Sequence, residues 1–340
     1  MATIIYPPTI PWQRLQQRPH QMLRYMARLG YKCIFHDPGT RGRKTPFKEV
    51  EPGLFVLSRD VPPAAVCPDS PVILWITLPE HHLLTDGIYQ EQLMIFDICD
   101  LPEEEFDYWK PEFDKAMSKA DLVFAASYLL YEKYRYMHHN VHYLPNGANY
   151  RAFQRKGPRP ADFPETPGPV AGFHGALASW IDWNLVYHLA KRLPRWSFVF
   201  VGPLLNITED RLPYGKNIFY ITEKSFEQLP YYTNHFDVGI IPFQVRDMTD
   251  YSCPIKMYEY FACGKPVVST PIHEVSLCPL ARIGRSAGEF AGHIEQAYSQ
   301  VLAETDTSKQ FRSWAMMNSW EQRASLADKI IRHSLARAVG

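Results

Sequence analysis

The 340 residues exceed what one ordinary core organises and suit two α/β domains of ~150 residues each. Apolar residues make up 46% and charged residues 21%. That is a globular balance, and no run reaches the ~20 consecutive apolar residues of a membrane-spanning helix. Thirty-six basic residues offset thirty-six acidic ones, so no whole-molecule field draws the chain to nucleic acid or anionic lipid, and no nucleic-acid partner is expected. The six cysteines, Cys33, Cys67, Cys99, Cys253, Cys263 and Cys278, form no Cys-x-x-Cys pair, and several sit in apolar runs as small core residues. A reducing cytoplasm is the expected location, since the opening MATIIYPPTIPW lacks the basic and apolar regions of a secretory signal.

Short apolar runs alternate with helical patterns through the first half. They are Thr3–Tyr6 then Gln17–Leu29; Cys33–His36; Pro71–Thr77; Gln92–Ile98 then Trp109–Lys119; and Leu122–Ala126 then Tyr128–Met137. This is the rhythm of βα units around a parallel sheet. Tyr143–Pro145 closes that half, and Asn146-Gly147 marks a turn. Between Ala152 and Pro169 five prolines and many charged residues interrupt the pattern, as at a domain boundary. A second alternation follows: Pro169–Phe173, helix Trp180–Leu193, strands Trp196–Val201 and Ile218–Ile221, helix Ser225–Thr233, strand Val238–Pro242, helix Pro254–Ala262 and strand Pro266–Thr270. Gly288–Glu304 and Gln310–Arg337 read as closing helices. The expected class is α/β, with one Rossmann-like domain over residues 1–155, a linker over 156–168 and a second Rossmann-like domain over 169–310. Closing helices over 311–340 then have the option of returning to the first domain.

The most informative stretch runs from Ser252 to Val268. Ser252 or Cys253 suits a helix cap, Pro254 suits a first turn where its missing N–H costs nothing, and Gly264 suits the position just past the end. The start of such a helix favours an anion, and Lys256 adds a full charge in its first turn. Glu259 stands three residues on, on roughly the same face and ~4.5 Å along the axis. That separation matches a phosphate and the ribose hydroxyls of one nucleotide. The competing structural reading is a capped surface helix with a solvated Lys–Glu pair.

Other candidates stand at strand ends, where ligands of open α/β sheets collect. His174 and Gly175 follow an apolar strand, and Gly175 would let a backbone amide approach a phosphate. A packed histidine before a glycine turn is the alternative for His174. Gly202 ends the strand at Val201, with a plain turn as its alternative. Asp97 lies near the end of its strand and Asp100 just beyond, so either carboxylate can face a cleft; capping of the following turn competes, above all for Asp97. Arg18 and His20 open the first helix and are candidates for contact with a diphosphate or an acidic acceptor, whereas Arg14 reads as a solvated helix-start charge. His81-His82 and His138-His139-x-x-His142 lack a convergent set of zinc spacing. No Gly-x-Gly-x-x-Gly or Walker sequence is present, which disfavours nicotinamide and P-loop chemistry.

PIKMYEYFACGKPVVST resembles the donor-binding signature of family 4 glycosyltransferases, in particular the branch similar to teichuronic acid biosynthesis enzymes. WQRLQQRPHQMLRYMARLGY, FDICDLPEEEF, LPNGAN, GFHGALASWIDWNLV, FVFVGP, FDVGIIPF and NSWEQRA resemble further segments of that family in the same order. The resemblance implies the GT-B architecture, two Rossmann-like domains facing each other across a cleft, the first on the acceptor side and the second binding the nucleotide sugar. It makes Glu259 the ribose-binding member of the family's paired glutamates, with Tyr251 standing where the first member belongs. It also implies an Arg and a Lys in the first loops of the second domain, where this sequence has Phe173-His174-Gly175-Ala176, so that Lys256 takes over some of that charge.

The function so implied is transfer of a sugar from a nucleotide diphosphate sugar to a polysaccharide, glycolipid or related glycan acceptor. It is expected to proceed with retention, without a metal, and with no cofactor beyond the nucleotide sugar as co-substrate. An Asp-x-Asp metal motif is absent; the nearest patterns are Asp97-x-x-Asp100 and Asp247-x-x-Asp250. Asp100 is the favoured catalytic carboxylate, able to stabilise an oxocarbenium-like state or take the acceptor proton. The acceptor can be lipid-linked, with weak peripheral contact to the inner membrane face through Lys133-Tyr134-Arg135-Tyr136 and the basic stretch from Arg151 to Arg159. The alternatives are a non-catalytic sugar-nucleotide-binding scaffold and a GT-B-fold sugar-nucleotide epimerase.

Overall fold

The computed structural model describes the chain except residues 1, 14, 40–46, 59–60, 62–70, 86, 88, 304–305 and 340, and the side chains of 337–339. Arg14 and Cys67 lie outside the described residues. Two compact units account for the rest. One comprises Met1–Asn146, Tyr251–Cys253 and Trp320–Gly340, and the other Gly147–Asp250 and Pro254–Ser319.

The first unit runs β1 (Thr3–Tyr6), α1 (Arg18–Arg28), β2 (Lys32–Asp37), β3 (Phe47–Glu51), β4 (Leu54–Ser58), β5 (Val72–Ile76), β6 (Leu93–Ile98), α2 (Lys110–Lys119), β7 (Leu122–Ala125), α3 (Tyr128–Tyr134) and β8 (Val141–Tyr143). Its sheet has the order β3-β4-β2-β1-β5-β6-β7-β8. Every pairing is parallel except β3 with β4. That hairpin was not expected from the sequence, because exposed Lys48 and Glu49 on an edge strand leave no apolar run to mark it. The central strands are the reverse case. β1, β5, β6 and β7 are buried along their whole length, which is why they read as continuous apolar runs. The chain winds outward in both directions from β1, placing the topological switch between β1 and β5.

The second unit runs α4 (Tyr150–Phe153), β9 (Val170–His174), β10 (Leu177–Ala178), α5 (Trp183–Arg192), β11 (Ser197–Val201), β12 (Leu204–Leu205), β13 (Ile218–Ile221), α6 (Leu229–Thr233), β14 (Val238–Ile241), α7 (Asp247–Asp250), α8 (Ile255–Ala262), β15 (Val267–Ser269), α9 (His273–Ser276), β16 (Arg282–Ile283), α10 (Ala287–Ala303) and α11 (Thr307–Met317). Its main sheet is wholly parallel in the order β13-β11-β9-β14-β15-β16, with β10 and β12 pairing apart from it. Here the switch lies between β9 and β14.

Residues 156–168, read from sequence as a linker, instead pack within the second unit. Phe163 is buried, and Lys224 holds Asp162 at 2.7 Å. Proline and charge density signalled irregular backbone there, not a break between domains. The long closing helix expected over Gln310–Arg337 is two helices. Asn318 leaves helical geometry at the end of α11, its N–H still donating to the Trp314 carbonyl at 3.0 Å. Then α12 (Trp320–Val339) belongs to the first unit, packed along α1 with Trp320 fully buried.

The ends of β9 and β11 approach through two glycines. Gly175 has φ +126° and Gly202 φ +152°, a region that side chains rarely adopt. A Cβ on Gly202 would lie 1.9 Å from the Gly175 carbonyl oxygen, so only glycine allows the two strand ends this spacing. Gly202→Ala is therefore expected to destabilise the second unit by about 2 kcal/mol or more. The check is the shift of its thermal unfolding midpoint against the unsubstituted protein.

Candidate functional site

The open end of the second sheet carries an unusual group of charges. Pro254 is the N-cap of α8, with extended backbone at φ −64° and ψ 108°. It presets the turn that brings Lys256, the second helical residue, back toward the switch between β9 and β14. The Lys256 ammonium lies 5.1 Å from the centroid of the Phe173 ring at the end of β9 and 5.0 Å from that of Phe243 just past β14. A Cβ on Gly175 would stand 3.7 Å from Nζ, so the glycine keeps the space above the ammonium open. Among the described residues no carboxylate salt bridge or hydrogen bond reaches Lys256. Burial lowers its pKa to about 8, an effect the nearby Glu259 charge partly offsets.

One turn along α8, the Glu259 side chain is 11% exposed, and its Oε2 lies 3.6 Å from Nε2 of His174. Burial raises its pKa to about 7, with Lys256 pulling the other way. His174 is the last residue of β9 and is itself buried. Its backbone N–H donates to the Tyr260 hydroxyl at 3.2 Å, and its ring stands edge-on to Tyr260 and stacks on Phe153. Burial, helped by the Lys256 charge, lowers the imidazole pKa to about 3, so the ring is neutral. The sequence placed Lys256, Glu259, His174, Gly175 and Gly202 as candidates, and the fold brings them to one sheet end. It did not disclose the phenyl cradle, although Phe173 adjoins His174 and Phe243 closes the apolar run of β14.

Ser252 lies in the Tyr251–Cys253 segment that groups with the first unit. In that segment Tyr251 packs against the first unit's core, with the Lys133 ammonium 5.5 Å from its ring centroid. The Cys253 carbonyl accepts from Asn146 Nδ2 at 2.6 Å.

In the first unit the switch between β1 and β5 is closed by the Tyr6 and Thr77 hydroxyls, 2.6 Å apart. Asp97 and Arg18 form a buried bidentate pair there, with both guanidinium nitrogens at 2.8 Å. Trp75 Nε1 donates to the same carboxylate at 3.1 Å, and Arg18 also donates to Asn146 Oδ1 at 3.2 Å. Asp97 and Arg18 thus satisfy each other, and the capping reading favoured for Asp97 gives way to an ion pair. His20 serves α1 itself: its Nδ1 accepts the Gln17 N–H at 3.2 Å and its ring packs between Trp12 and Phe35.

Asp100 differs from Asp97. Among the described residues no hydrogen bond or ion pair reaches its half-buried carboxyl, and burial pushes its pKa up to about 6. Three of the other histidines noted in the sequence have polar partners. His82 pairs with Glu112 at 2.6 Å, His138 with the Ala120 carbonyl and His142 with Asn140.

Residues 168–300 match the family described as glycosyl transferases group 1. Over 224 residues the chain is 26% identical to the teichuronic acid biosynthesis glycosyltransferase TuaH of Bacillus subtilis (strain 168). The match takes in 60% of this chain and 56% of the relative, little more than half of that protein's length. Among solved structures, sucrose-phosphate synthase from Thermosynechococcus elongatus superposes with a TM-score of 0.75 at 13% identity, covering 99% of both chains. Anabaena Alr3699/HepE, solved with UDP and glucose, gives 0.72 at 13% identity over 98% of this chain and 100% of its own. The fold is GT-B. The matched segment contains Lys256, Glu259, His174, Gly175 and Gly202, whereas Arg18, His20, Asp97 and Asp100 lie outside it.

The two first-unit carboxylates predict opposite outcomes. Asp97→Ala leaves a buried guanidinium unpaired and is expected to cost about 3–5 kcal/mol of stability. Asp100→Asn removes a carboxyl with no protein partner and is expected to stay within about 1 kcal/mol. Thermal denaturation of both variants side by side provides the comparison.

Proposed function

We propose that this chain is a glycosyltransferase that moves a sugar from a nucleoside diphosphate sugar to a polysaccharide, glycolipid or related acceptor. The observation that carries the proposal is the pair Lys256 and Glu259, one helical turn apart at the switch point of the second sheet. Among the described residues no salt bridge reaches the ammonium and no hydrogen bond reaches the carboxylate. In this reading Lys256 holds the diphosphate, with the backbone around Gly175, Gly202, Ser252 and Pro254 contributing. Glu259 accepts the ribose hydroxyls. The group 1 match, the resemblance to TuaH and the fold shared with HepE support it.

Asp100 is the proposed catalytic carboxylate. Its raised pKa suits a group that takes the acceptor hydroxyl proton near neutral pH while opposing the positive charge that develops on the transferred sugar. Transfer then follows the family's course, with retention, no metal and no cofactor beyond the nucleotide sugar. Arg18 and Asp97 shape the acceptor side as a buried pair, and His20 holds the start of α1. A cytoplasmic setting at the inner membrane face fits a lipid-linked acceptor. Exposed Tyr136 and Met137 beside Lys133 and Arg135 suit peripheral contact with an anionic surface.

The direct test incubates the protein with a panel of nucleoside diphosphate sugars and candidate acceptors and follows nucleotide and sugar release. A chain that binds nucleotide yet releases sugar from no donor, with or without acceptor, overturns the enzymatic reading. Asp100→Asn is expected to lower turnover about a hundredfold or more with donor affinity unchanged. Lys256→Ala is expected to weaken a nucleoside diphosphate by about 1.5–3 kcal/mol and the free nucleoside far less.

Affinity also carries a pH signature. Free Lys256 loses its proton near pH 8, above which diphosphate affinity falls about tenfold per pH unit. Lys256→Met, with no proton to lose, is expected to show a low and flat profile across that range in titration calorimetry.

A further inference from the structure

We infer that His174 is a positioning residue for Glu259, donating from Nε2 to one carboxylate oxygen so that the other is left for the ribose hydroxyls. This rests on the nucleotide reading above and assigns His174 a part different from direct phosphate contact. The ring cannot choose its place freely. It is clamped by stacking on Phe153, by its edge-on contact with Tyr260, and by the backbone hydrogen bond to the Tyr260 hydroxyl. That clamp aims Nε2 at Glu259 Oε2 across 3.6 Å. Nε2 is buried and has no hydrogen-bond partner among the described residues. A buried polar atom left so is costly, and only a small carboxylate rotation separates it from a partner.

The charge state fits the same part. A neutral imidazole gives a diphosphate no cation, which makes His174 a poor substitute for the Arg and Lys of the resembling family. A neutral Nε2–H still donates a charge-assisted bond to an ionised carboxylate. Lys256 lies one turn before Glu259 on the same helix and supplies the cation of the group. A carboxylate pinned on one oxygen presents the other in a fixed direction, which two adjacent hydroxyls require.

The test measures Kd by calorimetry for whichever of UDP, GDP, ADP and CDP binds most tightly, and for its 2′,3′-dideoxy counterpart, with His174→Leu, His174→Gln, His174→Asn and Glu259→Gln. The ratio of the two affinities reports ribose recognition. His174→Leu is expected to reduce that ratio about tenfold or more, while His174→Gln, whose amide reaches the Nε2 position, restores most of it. His174→Asn, whose shorter amide falls at the Nδ1 position, does not. If His174→Leu fails to fold, the contrast between the Gln and Asn variants carries the result.

An unchanged ratio in His174→Leu, or equal ratios for Gln and Asn, overturns the inference, provided Glu259→Gln lowers the ratio. A loss confined to the diphosphate over the monophosphate, with ribose selectivity intact, also overturns it and returns His174 to the phosphate. If Glu259→Gln itself leaves the ratio unchanged, the ribose assignment beneath both proposals falls.

Discussion

The ammonium of Lys256 is the constraint around which the second unit's open end is arranged. It has given up part of its hydration and received two phenyl faces in return. Cation–π attraction contributes about 0.5–2 kcal/mol, less than a full ion pair in the same surroundings, and the lowered pKa records the shortfall. The nearest carboxylate does not make it up. Glu259 is buried as well, so its own ionisation is held back, and each group stabilises the charge of the other only in part. An arrangement so incompletely compensated in the free protein gains from an incoming anion, the part proposed above for the start of α8.

The first unit shows what a completed charge looks like. Arg18 and Asp97 exchange two hydrogen bonds, Trp75 and Asn146 take remaining valences, and Trp320 from the last helix covers the guanidinium at 6.0 Å. Such a pair fixes α1 against β6 and ties in both the end of β8 and the returning α12. It is spent on structure. Three residues later Asp100 has none of these partners. Of the two carboxylates, Asp100 is the one the sequence favours for catalysis, and among the described residues it is the one that no hydrogen bond reaches.

Much of this was legible in the chain, and the failures have physical causes. Pro254 and Gly264 announce the bounds of a short helix, but the cap is Pro254 itself, with no side-chain cap bond, and not Ser252 or Cys253. The alternation of buried strands and helices announces two parallel sheets because both faces of each sheet are covered. Asp97 was not legible, since its partner lies 79 residues away in sequence and no local pattern pairs an arginine at a helix start with a strand end. The edge strand β3 alternates too weakly to be read. The segment 156–168 misled because proline and charge report backbone irregularity without reporting where that backbone packs. The split between α11 and α12 turns on the two non-helical residues Asn318 and Ser319, which composition hides inside a helical pattern.

Two departures from the family pattern have one structural sense. By the resemblance, Tyr251 stands where the first glutamate belongs, and it packs against the core of the first unit. His174 stands where a cation is common. An arginine or lysine at 174, within reach of Glu259, would pair with that carboxylate in the empty protein and satisfy it with no nucleotide present. A neutral imidazole cannot do this. It offers a single donor, leaves the second carboxylate oxygen free, and leaves the positive charge of the group on Lys256. Separating the cation from the orienting donor lets one helix turn present an unneutralised charge and an unsatisfied acceptor at once, the two demands that a nucleotide meets with its phosphates and its sugar.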